Sequence, residues 1–155
     1  MYFYFRLFLF VLFATSQLAC AFPQLNFKNK ASSAIEGQVV VLRGNGMPNK
    51  GKTSFKGHPL LTKVYIYKPL RLAQLEHQIR DNCSKINGVL VETAFTDSNG
   101  YYHINLKPGQ YSIVVAHQNG YFIPFFSGMD GVAYINIDPQ KTSILNIRVN
   151  DNASY

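Results

Sequence analysis

Thr96-Asp97-Ser98-Asn99-Gly100-Tyr101-Tyr102-His103-Ile104-Asn105-Leu106-Lys107-Pro108-Gly109-Gln110-Tyr111-Ser112-Ile113-Val114-Val115 decides the fold class of this chain. It reads as one β-meander: strand, tight turn, strand, tight turn, strand. Asp97, Asn99 and Gly100 supply the first reversal, because Asn and Gly tolerate positive φ and Asp can accept bonds from its own downstream amides. Pro108-Gly109 supplies the second. The arms between carry Tyr, Ile, Leu and Val at a two-residue period, which turns one face of each strand inward. Ile104, Leu106, Ile113 and Val115 are the expected core positions, with Tyr111 beside the Pro108-Gly109 turn.

Working outward, residues 35–42 open the fold as a strand, with Gly37 at a bulge or close approach. A long glycine-rich loop spans 44–59, and 61–67 is the second strand. Residues 69–80 break the β pattern: Leu72, Leu75 and Ile79 recur at three and four residues, and Pro69 suits a first turn. This spacing predicts one short helix of about ten residues at an edge of the fold. Strands follow at 89–95, where Val89, Val91 and Thr93 share a face, then at 121–123, 132–137 and 143–149. Seven or eight short strands at hairpin spacing, plus one helix, imply an all-β fold, a two-sheet antiparallel β-sandwich.

The first 21 residues read as an export signal. Arg6 is a minimal basic region, Leu7 to Ala14 is an unbroken apolar run, and Ala19-Cys20-Ala21 offers a small-residue cleavage pattern. The apolar run is too short to span a bilayer, which needs roughly 20 residues. Leu18-Ala19-Cys20 is also similar to the end of a lipobox, which would cut before Cys20 and lipidate it, although Gln17 stands where an aliphatic residue is usual. Lipidation and simple secretion both remain open. Residues 22–34 form a polar tether, and 35–155 the domain. The periplasm, the outer membrane and the extracellular space all fit such a chain. With Cys20 removed or lipidated, Cys83 has no partner for a disulfide and reads as a small buried hydrophobe.

Composition narrows the function. The 155 residues carry 15 Lys and Arg against 8 Asp and Glu, a formal charge of +7, with 10 Tyr, 12 Phe and no Trp. The basic residues are scattered among Gly, Asn and Ser, with no arginine-rich helix or basic–aromatic stripe, so nucleic acid is not an expected partner. Gly46-Met47-Pro48-Asn49-Lys50-Gly51-Lys52-Thr53 satisfies the phosphate-loop pattern, yet Ser54-Phe55-Lys56-Gly57-His58-Pro59 cannot form the helix that pattern requires. Pro48 also removes an amide from the cradle. His58, His77, His103 and His117 lack ligand spacing, although His103 and His117 could neighbour one another across the meander. Asp97 and Asn99 suit a turn brace better than a calcium loop. Glu36, Lys63 and Asn146 make a conjectural isopeptide trio. No nucleophile motif is present, so no catalytic, cofactor-binding or metal-binding residue is expected.

Asn99-Gly100-Tyr101-Tyr102-His103-Ile104 and Leu106-Lys107-Pro108-Gly109-Gln110-Tyr111 resemble the signature of carboxypeptidase regulatory-like domains. Further matches are Ile35-Glu36-Gly37-Gln38-Val39, Gly44-Asn45-Gly46-Met47-Pro48, Val64-Tyr65-Ile66-Tyr67 and Phe125-Phe126-Ser127-Gly128-Met129-Asp130-Gly131. Over residues 35–155 the chain is similar to small exported proteins of Bacteroidetes that carry this domain alone. The resemblance implies a transthyretin-like (prealbumin-like) sandwich of Greek-key type. It implies no peptidase activity, because the domain is the non-catalytic module beside a metallocarboxypeptidase.

The expected function is therefore that of a non-catalytic module with a structural or protein-binding role at the cell envelope. Lys50, Lys52, Lys56 and His58, with Met47 and Phe55, are its candidate contact surface. The alternative is binding of a cell-surface glycan, for which Tyr65, Tyr67, Tyr101 and Tyr121 are the candidate stacking residues. Two or more of them exposed in a coplanar row would favour it.

Overall fold

A computed structural model describes residues 33–43 and 57–151. The fold is all-β. In chain order the strands are β1 (Ala34–Leu42), β2 (His58–Pro59), β3 (Lys63–Tyr67), β4 (Leu70–Arg71), β5 (Leu75–Glu76), β6 (Asn82–Cys83), β7 (Lys85–Ile86) and β8 (Leu90–Phe95). They continue with β9 (Tyr101–Asn105), β10 (Gly109–His117), β11 (Gly120–Phe122), β12 (Phe126–Ser127), β13 (Gly131–Val132), β14 (Tyr134–Ile137), β15 (Thr142–Ile144) and β16 (Ile147–Asn150). Most are short, and two long strands, β1 and β10, organise the rest.

β1 is the spine of one sheet. Its first half lies between β9 and β15, and its second half between β2 and β16. β10 is the spine of the other, in the order β6-β11-β10-β3-β8, with β14 beside its first half. Ile35, Val39, Ile147 and Val149 from the first sheet and Val64, Ile66, Ile113 and Val115 from the second are almost completely buried in one core. A small third sheet, β12-β13-β4, accompanies the two.

The expected inward positions are buried: Ile104, Leu106, Ile113 and Val115 all face the core. Tyr111 is buried too, and its hydroxyl donates to the Lys107 carbonyl at 2.9 Å across the Pro108-Gly109 turn. Gly100 has φ 77°, the left-handed conformation that the first turn required.

Pairing departs from the meander. β8 and β10 both pair with β3, whereas β9 pairs with β1 in the other sheet. The two turns are therefore arches between sheets, not hairpins within one. Alternation shows which face of a strand is buried but not which neighbour it bonds to. Thr96 helps to anchor the first arch: its buried hydroxyl accepts from Thr62 N at 2.7 Å and donates to the Leu60 carbonyl at 2.8 Å.

The sandwich is also not purely antiparallel. β15 and β16 run parallel to β1. They arrive from the far end of the chain, so no hairpin constrains their direction.

The expected helix at 69–80 is replaced by β4, a single 3-10 turn at Leu72–Gln74, and β5. Leu70 pairs with Val132 and Leu75 with Ile86, so strand pairing takes up the segment and one of the three apolar residues, Leu75, that suggested a helix. His77 and Arg80 have φ of 50° and 53°, which an α-helix cannot contain. Ile79 is exposed. Neither face of 89–95, that of Val89, Val91 and Thr93 or the opposite one with Leu90 and Ala94, is fully buried. β8 is an edge strand, and Val89, Leu90, Val91 and Phe95 are all exposed.

Gly37 sits at a close approach. A Cβ there would overlap the Leu145 carbonyl oxygen and stand 2.6 Å from its carbon. That carbonyl accepts the Tyr102 hydroxyl at 2.8 Å, and Leu145 N donates to the Glu36 carbonyl at 2.8 Å. Absence of a side chain at Gly37 thus lets the link between β15 and β16 lie against β1. Among the described residues no helix is long and apolar enough to cross a membrane.

Candidate functional site

The outer face of the first sheet carries the most developed site. Along β1, Ile35 and Val39 point into the core, so Glu36 and Gln38 point out. In register beside them stand His103 and Tyr101 of β9, and Ile144 of β15 pairs with Glu36 from the other side. Phe95, at the end of β8, and Asp97, in the arch, close one rim, and Asn146 closes another. Together they enclose an open groove of about 720 Å³.

Several polar side chains of the groove are held by named partners. His103 Nδ1 lies 3.2 Å from Glu36 Oε2, and His103 Nε2 lies 3.3 Å from Asn105 Oδ1. Asn146 Oδ1 accepts from Gln38 N at 3.0 Å, and Gln38 Nε2 donates to the Asn99 carbonyl at 2.8 Å. Asp97 Oδ1 accepts the amides of Asn99 and Tyr101, both at 2.8 Å. Asp97 is thus a turn brace, as its sequence setting predicted, and it fixes Tyr101 at the mouth of the groove.

Two aromatic rings are presented to solvent here. Tyr101 is 55% exposed and Phe95 68% exposed. Lys63 Nζ lies 5.2 Å from the centre of the Phe95 ring, a cation–π distance. Lys63 is exposed, so Glu36, Lys63 and Asn146 do not form the buried trio that an isopeptide bond needs.

The coplanar tyrosine row that would have favoured glycan stacking does not form. Tyr67 is buried, and Tyr65 and Tyr121 are half-buried. The Tyr65 ring meets Tyr121 edge-on at 5.4 Å and 67°, and is tilted 41° from Tyr67 at 6.5 Å. Burial, with the neighbouring Tyr121, pushes the phenol pKa of Tyr65 and Tyr67 above the ordinary value. These three rings are packing groups, and Tyr101 alone of the four candidates is exposed.

The histidines disperse. His103 and His117 lie in different sheets and are not strand neighbours. His77 Nδ1 lies 3.1 Å from Ser84 Oγ, and His58 is exposed on β2. His117 Nε2 is buried 3.9 Å from Asp151 Oδ1 and has no hydrogen-bond partner. Among the described residues no three His, Cys, Asp or Glu side chains could hold a metal ion. Cys83 is buried, and burial pushes its thiol pKa up.

Met47, Lys50, Lys52, Phe55 and Lys56, the phosphate-loop pattern at 46–53, and Cys20 lie outside the described residues. Of the site now on view, sequence reading had singled out Tyr101 and missed Phe95 and the meeting of Glu36 with His103. The outward positions were legible from the alternation of β1 and β9. The pairing that sets them side by side was not.

Neither a protein-family model nor a curated protein matches the chain. Among solved structures, the chain is similar to a Pseudomonas aeruginosa protein described as a "putative carbohydrate binding protein". The likeness has 11% identity and a TM-score of 0.40, over 77% of this chain and 89% of that one.

Proposed function

We propose that this chain is an exported, non-catalytic module of the carboxypeptidase regulatory-like type that binds a saccharide chain at the cell envelope. The observation that carries this reading is the groove on β1, β9 and β15, where two exposed rings stand beside a fringe of carboxylate, amide and imidazole groups. A pyranose ring is amphipathic: its C–H face stacks on an aromatic ring while its hydroxyls seek charged or amide partners at the edge. Tyr101 supplies the stacking surface, and Glu36, His103 and Asn146 supply the edge. The groove is open to solvent, which suits a segment of a polymer.

Binding without hydrolysis is supported by how the carboxylates are spent. Glycoside cleavage uses two carboxyl groups facing one bond, one of them free to donate a proton. Here Asp97 braces its turn through two backbone amides, and Glu36 is engaged by His103. Export is supported by Arg6, the Leu7–Ala14 run and the Ala19-Cys20-Ala21 pattern.

The test is calorimetric titration of the chain with a panel of oligosaccharides, in wild type and in Tyr101→Ala. Saturable binding to at least one oligosaccharide is expected, weakened about tenfold or more in the variant by loss of stacking. Tyr101 is exposed, so the variant should fold. No saturable binding across the panel, or equal affinity in the variant, would overturn the reading.

A further inference from the structure

The groove has a charge character opposite to that of the chain. A second cavity of about 260 Å³ adjoins it through the shared His103 and brings in Glu92 of β8. Glu36, Asp97 and Glu92, three of the eight carboxylates in the chain, line the two cavities. Among the described residues, no Lys or Arg lines either. Lys63 touches the lining residue Phe95, its ammonium 5.2 Å from the centre of that ring. Screening confines such effects to about 10 Å at ordinary salt, so the lining carboxylates weigh more on the groove than the +7 of the whole chain does.

From this lining we infer that the groove takes a saccharide bearing protonated amines, an amino-sugar chain, and disfavours uronic-acid or sulfated chains. The inference rests on the saccharide reading above and names the class of sugar. A bare cation is a poorer fit, because among the described residues the carboxylates are dispersed and no three acidic, histidine or cysteine groups gather around one point. A flexible cationic peptide would satisfy the charge but leave the exposed faces of Tyr101 and Phe95 without a flat partner. A sugar ring with an equatorial ammonium satisfies both. Glu36 is the residue best placed to select it. Its carboxylate is oriented by His103 at 3.2 Å and stays about half exposed toward the groove.

The experiment is titration at about 20 mM salt with four probes of equal length: a glucosamine tetramer, its N-acetylated form, a galacturonate tetramer and tetralysine. The glucosamine tetramer should bind about tenfold more tightly than the N-acetylated one, the scale of two partly exposed charge pairs. The galacturonate tetramer should bind most weakly. Glu36→Gln keeps the shape of the side chain, so it should shrink the first ratio about three- to fivefold. Galacturonate binding as tightly as glucosamine, or an unchanged ratio in Glu36→Gln, would overturn the charge inference while leaving saccharide binding in place. Tetralysine matching or exceeding the glucosamine tetramer would overturn the sugar class in favour of a basic peptide. Silence from all three sugars would overturn the saccharide reading, and this inference with it.

Discussion

Gly37→Ala tests the joint between the core and the groove. The added methyl would collide with the Leu145 carbonyl, which is backbone and cannot swing aside as a side chain would. Relief requires the segment between β15 and β16 to lift away from β1. That movement breaks the bond from the buried Tyr102 hydroxyl to the Leu145 oxygen and strains the Leu145 N bond to the Glu36 carbonyl. Stranding a buried hydroxyl costs about 1–3 kcal/mol, and forcing a methyl into a filled site about 1–3 kcal/mol more. The expected loss is about 2–6 kcal/mol, a large share of a typical 5–15 kcal/mol margin. Tyr102→Phe is the control, because it removes only the hydroxyl bond and should cost about 1–1.5 kcal/mol. Urea unfolding of both variants at neutral pH gives the comparison. Gly37→Ala within ~0.5 kcal/mol of wild type, or costing less than Tyr102→Phe, would refute the close-approach argument.

Two further outcomes bear on the core. Leu106→Ala should cost about 2–4 kcal/mol in the same urea assay, since Leu106 is 9% exposed and lies within the core cluster; a cost below ~0.5 kcal/mol would mean that it does not pack there. Cys83 should resist iodoacetamide in the native chain at pH 8 and react once unfolded, as peptide mapping would read. Burial raises its folded pKa, so the fold favours the neutral thiol. The stability this represents is complete below the unfolded thiol pKa of about 8.5 and is lost as pH climbs beyond it toward the folded value. Wild type should therefore lose more stability than Cys83→Ala between pH 8 and pH 10, and parallel losses would contradict the assignment.

Much of the fold was legible because burial and turn chemistry are local. The period of two through Tyr102, Ile104 and Leu106 identified the inward face of β9, and Asn99-Gly100 marked the reversal before it. Pairing is non-local, and there the reading stopped. Nothing in the residues around Asp97 distinguishes a hairpin from an arch, since both need a sharp turn with a braced amide. The helix failed for a related reason. Leu72, Leu75 and Ile79 have helical spacing, but Val132, distant in sequence, pairs with Leu70, and Ile86 pairs with Leu75, so the segment finds strand partners. Left-handed backbone at His77 and Arg80 then became tolerable, because the chain gains those pairings in exchange.

The arch is also what makes the site. Had β8, β9 and β10 formed a simple meander, Tyr101 and His103 would lie beside Phe95 and Val115 in one sheet, with no Glu36 near them. Sending β9 across to β1 places His103 opposite Glu36, 67 positions away in the chain, and Tyr101 opposite Gln38. It leaves Phe95 behind at the edge of the other sheet, so the two exposed rings come from different sheets and meet at one groove on the outer face of the first. The walls that β1 and β9 give this groove are more rigid than a loop, because both strands are tied into the core through Ile35 and Ile104. Rigid walls favour a ligand with a rigid ring, and this physical reason ranks a sugar above a flexible chain as the occupant of this face.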